Sequence, residues 1–498
     1  MPTLSRKKGS LTVMLALMLT AVEGLFFTMS ECVRLYALLD VATGYTTEAV
    51  ESCFSEYNSY LWDKYHILGM DMAYGMTSVS DEYLRNRLCS FANENSNPDG
   101  NINMLRLNAD FAQVNYTLLT DKGASAVIAQ GVEAYEAGLL KNIYKKATEH
   151  ISSDEMDVGS LVGGGASALD SARADANAAR QRAIDNGEED IPPQPYEVED
   201  DPINAYKALR EMVEYGMLYQ GLPASAELST AIINSDEQVS KRSLHAGNKD
   251  SFSAGLVDSE IYTRYLMSEY SCFTNDRNHD GLQYEVEYVI CGQDSDESNL
   301  ASVMGKILLI REGVNVLAIL SDPYLMGQAE SMATALCAAV FAPHLVAVVT
   351  PAVVAAWAYV ESVLEIRAIM SGDKVAITKN SSNWNSDLFH LSGCLSQGVK
   401  AVNVEGGIGY EEYLSTFLIA QAATNTSQMG LRSCDVMENA LHTQMGYENV
   451  RLDNMITNMD TTINYSANQL FLSFVYIPGI GLDGYQIKKS DSIDYCCK

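Results

Sequence analysis

Positive charge is scarce in this chain of 498 residues: 33 Lys and Arg stand against 64 Asp and Glu, for a net charge of −31. That balance excludes a nucleic-acid partner, because a phosphate backbone is held by clustered Lys and Arg. Chemical signatures are missing as well. None of the ten cysteines belongs to a CxxC pair, so zinc ribbons and thioredoxin-like redox sites lack their ligand set. The seven histidines form no HExxH, and no GxSxG supplies a nucleophile elbow. Gly163, Gly164 and Gly165 follow no strand and precede no Lys, which excludes a phosphate loop. Acidic side chains are so numerous that no pair stands out as acid and base. The expectation is a protein that is not an enzyme.

What the chain does have is a core and a candidate anchor. Hydrophobic residues make up 47% and charged residues 19%, which excludes both wholesale disorder and a multi-span transporter. The length predicts more than one folding unit. Arg6, Lys7 and Lys8 precede an apolar run from Ser10 to Ser30 whose only charge is Glu23. A helix crosses a bilayer in roughly 20 residues, and basic residues before it place the N-terminus in the cytoplasm and the bulk outside. A cleaved secretory signal is the competing reading, but its apolar region is shorter and ends at a small-residue site. Here Val50, Phe54, Tyr57 and Leu61 carry on at helical spacing. The spacing predicts one helix from about Leu11 to about Tyr65, apolar first and amphipathic later. Glu23 inside the span marks an assembly contact, or else lies near the interface of a tilted helix.

The fold class expected is α+β: a long N-terminal transmembrane and amphipathic helix, then a mainly helical extracytoplasmic region with a small antiparallel sheet. Residues 1–9 read as a cytoplasmic basic stub and 10–30 as the transmembrane helix. Residues 31–150 read as an extracytoplasmic helical stalk or domain, with a turn at Ser96 to Asn101. Residues 151–204, rich in Ala, Gly and acids and ending in prolines, read as a flexible or singly helical linker or insertion. Residues 205–498 read as an extracytoplasmic α+β domain. Within it, large apolar residues alternate with Glu from Tyr284 to Ile290 and predict a strand. Thr461 to Ile477 reads as strands, and Glu405 to Tyr410 as a loop leading into a helix near Tyr410. The uncharged stretch 331–360 is a buried helical hairpin folded at Pro343 and Pro351, or a second span.

Cys32, Cys53 and Cys337 lie on apolar helical stretches and read as small hydrophobes. Cys272 and Cys291 are candidates to pair, and the adjacent Cys496 and Cys497 close the chain. The sharpest local motif is DRNHDGLQYEVE. Asp276, Asn278, Asp280, Gly281 and Glu287 satisfy the EF-hand loop spacing in full. Short oxygen ligands alternate around a turn that Gly permits, and Glu closes the site, which suits calcium. The alternative is a polar turn before the expected strand.

Several blocks carry a resemblance. KKGSLTVMLALMLTAVEGLFFTMSECVRL and SEYNSYLWDKYHILGMD, with SKRSLHAGN, YEVEYVICGQDSDESNL, KILLIREGVNVLAIL, AWAYVESVLEIRAIMSGDKVAITK and GYEEYLSTFLIAQAATNTSQMGLRSCDVME later on, resemble an uncharacterised family of membrane-anchored proteins from Gram-positive anaerobes. The resemblance implies one N-terminal anchor and a large extracytoplasmic part. The N-terminus is also similar to TadE/TadG-like minor pilin proteins of tight-adherence (Tad) pilus systems. There a basic stub and a Gly precede a hydrophobic assembly helix, as Lys7, Lys8 and Gly9 do here. Prepilin peptidase would then cut after Gly9 and leave Ser10 first. Type IV pilins carry Glu at the fifth mature position, where Met14 stands, so an uncleaved TadG-like anchor is equally open.

Two functions are therefore expected. The first is a structural, single-pass component of a Tad/type IV-like pilus or secretion apparatus, with the lipid bilayer and other membrane proteins of that apparatus as partners. The second is a membrane-tethered binding or adhesion module, stabilised by calcium or by no cofactor at all.

Overall fold

The structure is a computed structural model that describes residues 5–76, 79–96, 103–138, 157–234, 238–250, 255–473 and 484–496. It is helical in bulk with one small antiparallel sheet, the α+β class expected. The chain divides into two compact units, one of Met1–Leu139, Asp236–Asp258 and Thr426–Lys498, the other of Leu140–Ser235 and Ser259–Asn425. Both are discontinuous in sequence, so the consecutive division at residues 31, 151 and 205 is not the division the packing makes.

The first unit is built on a four-stranded sheet: β1 (Met70–Asp71), β2 (Leu107–Leu118), β3 (Met455–Ala467) and β4 (Tyr485–Asp494). β3 is central and antiparallel to all three, with β2 on one side and β4 and β1 on the other. Its pleat alternates, with Met459, Thr461, Ile463 and Tyr465 buried between half-exposed Asp460, Thr462 and Asn464. β2 alternates too, but a bulge between Ala109 and Phe111 shifts its register before Ala112, Val114 and Tyr116 resume the buried face. Against that face lie α1 (Ser5–Phe54) and α3 (Asp81–Ser96), through Leu38, Ala42, Ala49 and Val50 of the first and Leu84, Leu88 and Ala92 of the second. α2 (Ser59–Tyr65) and α4 (Asp121–Glu136) complete this half of the unit.

The long helix stops at Phe54 rather than running on to Tyr65. Asn58 breaks it: its side chain accepts from Leu61 N at 3.0 Å to cap α2, and its own N–H donates to Gly69 O at 2.9 Å. The outer edge of β2 is covered by the segment at 247–249. Asn248 Oδ1 accepts from Tyr116 N at 2.7 Å, and Lys249 N donates to Tyr116 O at 3.1 Å, so the edge cannot recruit another strand there.

The second unit is helical. Its elements are α5 (Val158–Asp185), α6 (Pro202–Tyr215), α7 (Met217–Gly221), α8 (Leu256–Glu269), α9 (Glu285–Cys291), α10 (Asp296–Ser321), α11 (Pro323–Ala339), α12 (Val346–Met370) and α13 (Tyr410–His442). α8 and α13 extend into the first unit's residues, and a break at Asn425 marks the change in α13. α12 is the core, buried at every residue from Ala352 to Met370.

Several expectations are corrected here. Residues 158–185 take the singly helical form of the expected insertion and not the flexible one, because α5 packs along α12. The stretch 331–360 is the hairpin of α11 and α12 and is mostly buried. It folds at Pro343 alone; Pro351 lies inside α12, more than a turn past its start, and does not end the helix. Residues 284–290 are helical, not a strand, since α9 spans Glu285–Cys291. Within 461–473, the described part of the stretch 461–477, Thr461 to Ala467 are extended, as the end of β3. Cys272 and Cys291 do not pair, and every described cysteine is a free thiol. Cys32 is exposed on α1, unlike Cys53 and Cys337. The turn expected after Ser96, and Cys497, lie outside the described residues.

The glycine triplet tests the α5 packing. A Cβ added at Gly165 would stand 2.3 Å from the Ala352 Cβ, whereas one at Gly164 meets nothing within 4 Å. Gly165→Val is expected to destabilise by about 1–3 kcal/mol through overpacking. Gly164→Ala is expected to stabilise by about 0.5–1 kcal/mol through helix propensity. Denaturant unfolding of the two variants checks both signs.

Candidate functional site

α1 carries two environments on one continuous helix. From Leu11 to Met29 nearly every residue is exposed, including Leu15, Leu19, Leu25 and Phe26, and Glu23 lies in the middle of that stretch. Gly9 and Ser10 belong to its helical start. From Glu31 onward one stripe is buried at i, i+3 and i+4 spacing: Glu31, Arg34, Leu38, Ala42, Thr46, Ala49 and Cys53. The 20 residues from Leu11 to Ser30 rise about 30 Å, the thickness of a bilayer's hydrocarbon core.

A buried ion pair marks the change. Arg34 Nη1 donates to Glu31 Oε1 at 2.8 Å and to Asn468 O at 2.8 Å, and Nε donates to Met104 O at 2.8 Å. Arg34 Nη2 donates to Leu105 O. Glu31 in turn accepts from Phe471 N at 2.6 Å and Leu470 N at 3.2 Å. Two charged side chains thus tie the loops on either side of β2 and β3 to the helix, and each charge is neutralised by the other. Further along, Thr46 Oγ1 lies 3.0 Å from Tyr465 OH, and Thr47 Oγ1 donates to Asp491 Oδ2 at 2.6 Å.

The acidic turn is organised differently from a metal loop. Asp276 and Asp280 are exposed, and Asp276 Oδ1 accepts from Asn278 N at 2.7 Å. Asn278 and Gly281 hold left-handed backbone at φ 55° and 88°. Glu287 is fully buried in α9, where its Oε1 accepts from Phe273 N at 2.9 Å and Tyr410 OH at 2.7 Å. Glu285 beside it accepts from Ser271 N at 2.7 Å and meets His279 Nδ1 at 2.8 Å. Asp296 accepts from Gln283 N at 2.8 Å and Ser229 Oγ at 2.6 Å. These carboxylates hold the backbone of the turn. Among the described residues no group of three or more His, Cys, Asp and Glu stands together as a metal ion would need.

The sequence reading passed over a charged cluster inside the second unit. Arg311 of α10 grips Glu365 of α12 through two bonds of 2.7 Å, and Asn315 Nδ2 adds a third at 2.8 Å. Lys379 Nζ reaches Glu361 Oε1 at 2.6 Å and Glu365 Oε1 at 3.0 Å. Glu361 also accepts from Asn385 Nδ2 at 2.7 Å and Ser386 N at 2.9 Å. Burial would raise the Glu365 carboxyl, but Arg311 and Lys379 hold it below the usual carboxylate range. Two cations balance two carboxylates, so the cluster is neutral, with both carboxylates bound internally. The spacing E361xxxE365 on one helix face was its only sequence signal.

Two grooves open on the surface of the same unit, of about 640 and 460 Å³. Tyr215, at the end of α6, and Tyr219, in α7, line both and are 88% and 72% exposed. Leu218 and Leu222 are buried beneath them, and Glu211 and Glu297 stand one on each groove.

A family model for a family of unknown function, DUF5702, matches residues 195–467. That is more than half of the chain. The chain belongs to the DUF5702 family. The DUF5702 span takes in most of the second unit, together with the 238–250 segment and β3 of the first. The long apolar helix α1 and strand β2 precede it. No curated protein and no solved structure matches the chain.

Two outcomes follow from these buried groups. Arg34→Ala leaves the Glu31 carboxylate buried without its partner and is expected to cost about 3–5 kcal/mol, whereas Glu31→Leu with Arg34→Met recovers most of that loss. Chemical unfolding of the three chains checks it. Burial also pushes Glu287 and Glu312 up to about 7 from 4.5. Between about pH 4.5 and 7 the folded chain holds these protons and the unfolded chain sheds them, so stability falls as pH rises through that window. The loss is about 3 kcal/mol for each group. Unfolding at pH 5 and at pH 8 should show the fall, and Glu312→Gln should shrink it.

Proposed function

We propose that the chain is a non-enzymatic, single-pass membrane protein of a Tad/type IV-like pilus or secretion apparatus, with a cytoplasmic N-terminus and its bulk outside the cell. One observation carries this reading: from Leu11 to Met29 α1 is mostly apolar with every residue but Phe27 exposed, and from Glu31 to Phe54 it docks on a sheet. The mostly apolar, exposed run from Leu11 to Met29 needs lipid or neighbouring helices around it. Arg6, Lys7 and Lys8 support the orientation. Glu23, exposed within the span, supports a lateral contact with another membrane helix, because a carboxylate facing lipid is costly. A membrane-tethered extracellular binding module is the second reading, favoured by the open grooves beside Tyr215 and Tyr219.

The test is the location and mature N-terminus of the protein in its own cells. Membrane pellets washed with alkaline carbonate should retain it. Mass spectrometry finding Ser10 as the first residue in sheared surface material supports the pilus reading. An intact N-terminus found only in membranes supports the tethered module. Recovery as a soluble protein cut after Ser30 sinks both. Glu23→Leu should lower recovery of membrane partners, and unchanged recovery removes the proposed contact.

A further inference from the structure

We propose that the paired grooves around Tyr215 and Tyr219 bind a neutral polysaccharide chain, with the two tyrosine rings as stacking platforms. Tyr215 closes α6, and Tyr219 sits in α7 beyond an extended Gly216. At 88% and 72% exposed, both tyrosines give most of their surface to water, which leaves their rings open to stack on a partner. Both residues line both grooves, so the rings stand between two adjoining troughs of about 640 and 460 Å³. Each is within the range of a ligand site, and side by side they suit several linked units rather than one small molecule.

The lining selects the chemistry. Neither groove is lined by a Lys or Arg, while Glu211 faces one and Glu297 the other. Carboxylates without cations repel anionic chains, including nucleic acids and polyphosphates. Ser298 and Gln397 add short hydroxyl and amide groups to the larger groove. A neutral pyranose matches this set on both counts. The C–H bonds on one face of the ring pack on an aromatic face, and its hydroxyls bond to carboxylate, amide and hydroxyl groups at the rim. The floor is firm, because Gln220, next to Tyr219, is buried and its carbonyl accepts from Arg367 Nε at 3.0 Å. The backbone that carries Tyr219 is therefore fixed before a ligand arrives.

This inference goes beyond the anchoring reading and does not rest on it, since binding is read on purified protein and anchoring on membrane fractions. The experiment is isothermal titration of the full chain, purified in a detergent without a sugar headgroup, with hexa-N-acetylchitohexaose and with cellohexaose. Saturable binding to at least one is expected. The double variant Tyr215→Ala, Tyr219→Ala should weaken it at least tenfold, and Tyr215→Phe, Tyr219→Phe should stay within about threefold, because the ring rather than the hydroxyl carries the stacking. Tyr215→Ala alone removes a side chain that is almost wholly exposed and keeps the test open if the double variant folds poorly. Absence of binding to both hexasaccharides overturns the proposal, as does binding that the alanine variants leave unchanged. Tyr-dependent binding of hexalysine in place of the sugars would overturn it in favour of a cationic chain.

Discussion

The structure turns on a charged pair set where an apolar helix meets a sheet. Glu31 and Arg34 open the buried stripe of α1, and between them they make hydrogen bonds to five backbone positions in two loops. An apolar stripe alone would fix the helix only by shape, and a shape match tolerates sliding by one turn. A buried carboxylate and guanidinium do not, because a slip of one turn strands both without partners at a cost of several kcal/mol. The register of the helix on the sheet is therefore set electrostatically, and Thr46 and Thr47 confirm it further along with bonds to Tyr465 and Asp491.

The second unit solves a similar problem in its core. α12 is apolar over most of its length, and such a helix can rotate among neighbours of similar size. Glu361 and Glu365 remove that freedom, because their partners on α10 and in the 376–386 segment occupy one direction only. The charges fit where they are because each is answered, and Glu365 stays ionised despite complete burial. Specificity of packing is what such a cluster contributes; replacing it with apolar residues need not cost stability.

The long apolar helix was legible from residues 1–60, and the sheet from the alternation that begins at Thr461, the end of β3. The α9 segment was not. Tyr284 to Ile290 alternates as a strand does because Glu285 and Glu287 sit two apart, and that inference assumes polar positions face water. Both glutamates are instead buried, accepting the N–H groups of Ser271 and Phe273, so their spacing reports the turn they hold. β2 was hidden for another reason: its bulge at Asp110 interrupts the alternation midway. The glycines and alanines of 158–185 look like a linker until the partner is known, and Gly165 is small because Ala352 lies against it. Tyr215 and Tyr219 gave no sequence signal, because exposure depends on neighbours distant in the chain.

The order of strands has a consequence for how the protein comes into being. β3, the middle of the sheet, lies more than three hundred residues after β2, and all of the second unit's chain runs between them. A ribosome delivers the long helix well before its docking surface. The stripe from Glu31 to Phe54 has no complete sheet to cover it until β3 is made, and the second unit's chain, which ends at Asn425, comes out before β3 as well. The first unit thus closes like a clasp only after the second unit's chain is out, and a chain truncated before residue 455 would keep its helix and lose the surface that orients it.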